Sequence, residues 1–122
     1  MAVDNLEDVA YFSTAGAGPL PTALLRLGDT RDLYEQLLRL PPLAEPSWVA
    51  PFEHVVLDWV ELARRGIFAY DWRRKNSRYE LIALPSIRIR ARDVRAFDEN
   101  VPLVSLPFRF ENMRTFSPVS RQ

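Results

Sequence analysis

The 122 residues contain no cysteine, which excludes disulfides and thiolate metal sites. There is one histidine, His54. A nucleophilic triad therefore has a single candidate base, and no serine stands in a G-x-S-x-G elbow. Only four glycines occur. Two of them lie in STAGAGPLP (13–21), which lacks both the lysine of a P-loop and the spaced third glycine of a dinucleotide fingerprint. We read that stretch as a connector. Apolar runs last only a few residues, far short of the roughly 20 that a helix needs to cross a bilayer. The opening MAVDNLEDVAYF has acids where a signal peptide has cations. These absences lead to the expectation of a soluble, cytoplasmic protein that is not an enzyme, uses no cofactor and does not associate with membranes.

What is present is ordinary for a globular protein: 48% apolar and 26% charged residues. The length suits a single domain over residues 1–122. Net charge is zero, but it is unevenly placed. Residues 1–63 hold ten acids against three bases, a balance of −7. Residues 64–122 hold thirteen bases against six acids, a balance of +7. Arginine supplies all the cations except Lys75, and its planar fork suits carboxylates and phosphates. Such asymmetry has two readings: a charged partner, or internal neutralisation of one half by the other.

Periodicity gives the expected elements. Residues 8–13 read as a first strand. Residues 21–27 and 31–40 read as helices, the second with Leu33, Tyr34, Leu37 and Leu38 on one face. Pro41 and Pro42 stop it. The proline-rich segment 41–51 is expected to lie extended over the core, pinned by Trp48. A third helix is expected over residues 51–65, closed by Gly66. Its apolar face includes Trp59, which we assign to the core. Residues 66–72 and 78–84 then form the arms of a hairpin bent near 74–77. SIRIRAR (86–92) alternates strictly and reads as a strand with Ile87, Ile89 and Ala91 inward and Arg88, Arg90 and Arg92 outward. DENVP (98–102) is a turn. An edge strand near 101–108 and a loose tail over 111–122 complete the chain. The expected class is α+β: two to three helices packed on one face of a small, mainly antiparallel sheet that contains a basic-tipped hairpin.

The densest cluster of charge is WRRKNSRY (72–79), with four cations inside six residues. Trp72, Arg73, Arg74, Lys75, Arg78 and Tyr79 are candidate partner-binding residues on the hairpin. Arg88, Arg90 and Arg92 are candidates on the adjoining sheet face. Arginine and large aromatics are the types that dominate interface energetics, and arginine forks steer and pair with carboxylates. The expected function is a non-catalytic protein-binding module, such as an adaptor, a regulatory subunit or a neutraliser in the manner of immunity proteins, that docks one acidic protein partner. The alternative comes from LARRG-IFAYDW-RRKNS-RYELIAL. This helix, glycine, strand, basic turn and strand resemble the last helix and wing of a winged-helix domain. The resemblance implies nucleic-acid binding, with residues 66–84 as the wing. Glu53, Asp58 and Glu61 on the helix that would enter the groove oppose that reading. His54, Asp58 and Glu61 share a helix face at spacings of four and three. We read them as a solvated face rather than a metal site, because metal sites draw ligands from further elements. No coiled-coil seam argues for a dimer.

Overall fold

The computed structural model describes residues 1–13, 33–51, 57–73, 78–101, 103–106 and 109–116. The expected helix at 21–27, the hairpin bend at 74–77 and His54 lie outside the described residues. In chain order the elements are β1 (Ala2–Val3), β2 (Val9–Ser13), α1 (Leu33–Leu37), β3 (Trp48–Val49), α2 (Leu57–Arg64), β4 (Phe68–Arg73), β5 (Arg78–Leu84), α3 (Ala91–Phe97), β6 (Val104–Ser105), a 3₁₀ turn (Phe110–Asn112) and β7 (Thr115–Phe116). The class is α+β, with three helices among the described residues and a mixed, mostly antiparallel sheet. Its strand order is β3-β5-β4-β2-β1-β6, and β7 joins β5 beside β3. Two pairings are parallel, β2 with β4 and β1 with β6.

Alternation along the strands sorts the side chains onto two faces. Val3, Val9 and Tyr11 point toward a cluster with Leu37 of α1, Leu62 of α2, and Ala91 and Val94 of α3. Ala69 of β4 and Ala83 of β5 meet Ala63 of α2. Those three small residues let the helix approach the sheet closely, and Trp59 is half-buried across them rather than enclosed in the core. The other face carries Ala10, Phe12, Phe68, Tyr70, Tyr79 and Leu81, packed against Leu106 and Phe110. Here the expectation of a loose tail over 111–122 fails for the described part. Residues 110–116 cover this face and add a strand. Phe110 is fully buried, and the Tyr70 hydroxyl donates to the carbonyls of Met113 (2.7 Å) and Phe110 (3.2 Å). Phe12 stacks on Tyr70 at 5.0 Å and meets Tyr79 edge-on at 5.1 Å. Such aromatic pairs contribute about 0.5–1.5 kcal/mol beyond area burial.

The hairpin of β4 and β5 is antiparallel, but it is not a free ribbon. β4 is also paired with β2, and the outer edge of β5 is covered by β3 and β7. Ile82 is the extra residue of a bulge, since Ala69 pairs with Ala83 while Tyr70 pairs with Leu81. The 41–51 segment does lie extended over the core, as β3 against Leu84 and Ala83.

The strand expected over 86–92 is a second correction. Residues 86–90 make one isolated bridge, Asp8 with Arg90, and α3 begins at Ala91. Ile87 is 52% exposed instead of inward. A helical signal competed with the alternation: Ala91 and Val94 are three apart and both buried. The carboxylate of Asp93 accepts the Arg90 backbone N–H at 3.2 Å, the reach-back half of a capping box.

Candidate partner-binding surface

The arginines of the second half fall into two sets, and the structure separates them by what they touch. Arg88 and Arg90 turn inward. The turn between β1 and β2 is built on Asp4, whose Oδ1 accepts the N–H groups of Leu6 (2.8 Å) and Asp8 (2.9 Å), while its Oδ2 accepts that of Phe110 (2.8 Å). This places Asp8, fully buried, beneath both arginines. Arg88 Nη1 donates to Asp8 Oδ2 at 3.2 Å and to Glu111 Oε2 at 2.9 Å, and its guanidinium lies 5.3 Å from the centre of the Phe68 ring. Arg90 Nη1 sits 3.2 Å from Asp8 Oδ1 and donates to the Leu6 carbonyl. Asp8 Oδ1 thus has a charge partner but no aligned hydrogen bond. Burial raises the Asp8 carboxyl above its ordinary value, and Asp4 adds to this, against the pull of Arg88 and Arg90.

Arg64 and Arg65 are also paired internally. Arg64 Nε reaches Glu45 Oε2 at 2.9 Å and Nη1 bonds to Glu61. Arg65 Nη1 bonds Glu61 at 2.8 Å, and its Nε donates to the carbonyls of Leu38 (3.2 Å) and Leu40 (2.9 Å). It therefore satisfies carbonyls at the end of α1 from the end of α2. The hydrogen bond from Arg65 holds the Glu61 carboxyl below its ordinary value, with further help from Arg64.

The second set faces solvent. Arg92 and Arg95 lie three apart on the exposed side of α3, and neither has a carboxylate within ion-pair distance among the described residues. Phe97, 45% exposed, closes the same helix. Arg92 and Arg90 line a shallow cleft with Leu6 and Glu7. Arg114 is exposed and its guanidinium lies 4.7 Å from the centre of the Trp48 ring. No family model, curated protein or solved structure matches this chain.

The candidates named from sequence are thus dispersed. Tyr79 is fully buried in the aromatic face and offers no surface. Arg78 is exposed and only 3.9 Å from Glu80. Trp72 and Arg73 are in β4, and Arg74 and Lys75 lie outside the described residues. Arg88 belongs to the internal network, Arg90 bridges that network and the cleft, and Arg92 is exposed on α3 with no ion pair to the described residues. Arg95 and Arg114 were missed. Arg95 was hidden by reading α3 as the end of a strand. Arg114 reaches Trp48 only because β7 pairs with β5, a contact with no local signal.

Proposed function

We propose that the protein is a non-catalytic protein-binding module that docks an acidic partner surface through the cations its own carboxylates leave unmatched. The observation that carries this reading is the exposed pair Arg92 and Arg95 on α3. Two guanidinium groups three apart on a helix repel each other, and no carboxylate of the described residues lies within ion-pair distance of either. A negative surface would relieve the repulsion and be steered by it. By sequence Arg73, Arg74 and Lys75 add further cations on the hairpin.

The test is charge reversal. Arg92→Glu with Arg95→Glu should alter stability by under about 0.5 kcal/mol, because both side chains are exposed. The tagged wild-type chain, used as bait in its native cell extract, should retain one stoichiometric acidic protein, and the double variant should lose it. Retention that ignores the charge reversal, or recovery of nucleic acid in place of protein, counts against the reading.

A further inference from the structure

The outer edge of β5 is divided between two strands. β3 takes Ala83 and Leu84, and the Ala50 N–H donates to the Ile82 carbonyl at 2.8 Å. β7 takes Tyr79 and Glu80, and the Leu81 N–H donates to the Arg114 carbonyl at 2.8 Å. Where the two strands meet, a groove of about 580 Å³ opens between Trp48, Ala50 and Pro51 on one side and Arg114 and Thr115 on the other, over Leu81. The β5 backbone beneath it is already paired. An occupant is therefore held by side chains and not as an added strand.

We infer that this groove is the docking slot for an extended segment of the acidic partner protein, one that presents an apolar side chain next to a carboxylate. The inference rests on the protein-binding reading above and names what the partner must carry. Ala50 and Pro51 expose apolar surface on one wall, over a floor formed by the buried Leu81, and this suits an aliphatic side chain. Arg114 supplies the polar contact. Its position over the Trp48 ring, 4.7 Å from the ring centre, restrains the guanidinium, and its planar fork suits a carboxylate. No carboxylate of the described residues lies within ion-pair distance of it. Glu80 on the wall is itself engaged, 3.9 Å from Arg78. Among the residues that line the groove Arg114 is the cation, and its neighbours Trp48, Ala50, Pro51 and Leu81 are apolar. A chain of phosphates needs cations along its length, whereas one carboxylate beside an apolar side chain needs a single guanidinium. The chemistry therefore favours a peptide over a nucleic acid strand.

The experiment is an NMR titration of the ¹⁵N-labelled full chain with the blocked tetrapeptide acetyl-Gly-Glu-Leu-Gly-amide. The Trp48 indole N–H and the backbone signals of Leu81 and Arg114 should shift and saturate, with a dissociation constant on the order of millimolar for so small a probe. A version of the peptide with glutamine in place of glutamate should bind about tenfold more weakly, as should the original peptide to Arg114→Gln. Ala50→Trp, which fills the groove and keeps the arginine, should abolish the shifts. The absence of saturable shifts, equal binding of the glutamine peptide, or preferential binding of an oligouridylate in the same groove each overturns the inference. The two proposals fail separately. Once the captured partner is in hand, loss of binding on α3 charge reversal with no effect of Arg114→Gln removes the slot and keeps the module. Peptide binding in the groove with no α3 effect keeps the slot and removes the α3 surface.

Discussion

Asp8 is a carboxylate whose charged form is disfavoured where it stands. Its pKa is raised because burial outweighs the two arginines beside it. The folded state therefore holds the Asp8 proton more tightly than the unfolded chain does. Its contribution is full below the ordinary aspartate value of 3.8 and is lost as pH rises through the folded pKa. Asp8→Asn removes that titration. The stability of the variant relative to wild type should therefore increase between about pH 4 and pH 7, measured by urea unfolding at both. Glu61 has the opposite sign. The hydrogen bond from Arg65 lowers its pKa from 4.5, so its contribution is present above that value and lost as pH falls through the folded pKa. Glu61→Gln should lose stability relative to wild type over the same rise in pH. Parallel slopes for the two variants would show that the two carboxylates do not sit in opposed environments.

At the scale of elements, the end of α2 shows how local chemistry and packing agree. Gly66 has φ +88. The Ile67 N–H returns to the Leu62 carbonyl at 3.1 Å and the Gly66 N–H to that of Ala63 at 3.0 Å, the two bonds of a Schellman cap. Leu62 and Ile67 then pack together in the helix-side cluster. The glycine is required twice. A Cβ there would sit 2.4 Å from the Ile89 nitrogen and 2.8 Å from the Ile87 oxygen, both backbone atoms. Gly66→Ala should cost about 2–5 kcal/mol, combining the left-handed penalty with an overpacked contact. A change in the urea midpoint equivalent to under about 1 kcal/mol would mean that the 87–89 segment moves aside freely. That helix end was legible in the sequence because Gly66 and the Glu61–Arg65 pair are local signals. The 86–92 segment was not, because alternation over six residues coincided with the start of a helix whose cap lies in the backbone of Arg90.

For the whole molecule, the two faces of the sheet are protected by different means. Helices α1, α2 and α3 cover one, and the C-terminal segment covers the other. Removing everything after Leu106 would uncover Phe12, Phe68 and Tyr70 and delete Phe110, which alone is worth about 3–5 kcal/mol as a buried aromatic. Since domains of this size hold only about 5–15 kcal/mol in total, the truncated chain should bind anilinonaphthalene sulfonate and lose its cooperative unfolding transition. A sharp, unshifted melt would show that 107–122 is dispensable. Both sheet edges end in two-residue strands, β3 between Pro46 and Pro51 and β6 between Pro102 and Pro107 in sequence. Short, proline-flanked edges resist pairing with another chain.

The sequence alone determined the α+β class, the strands over 8–13, 66–72 and 78–84, the glycine-capped helix and the extended proline-rich arm. Each rests on periodicity or on a backbone preference read within a dozen residues. The fate of the charge was decided only by tertiary structure. Asp8 and Arg88 are eighty residues apart, and no spacing rule connects them. The turn anchored by Asp4, the bridge at Arg90 and the cover supplied by Phe110 and Glu111 bring them together. The division into neutralised and free arginines follows from that meeting, as does the stacking of Arg114 on Trp48 once β7 has joined β5. Contacts between distant segments are set by how the layers pack, and the charges then pair with whatever the packing puts beside them.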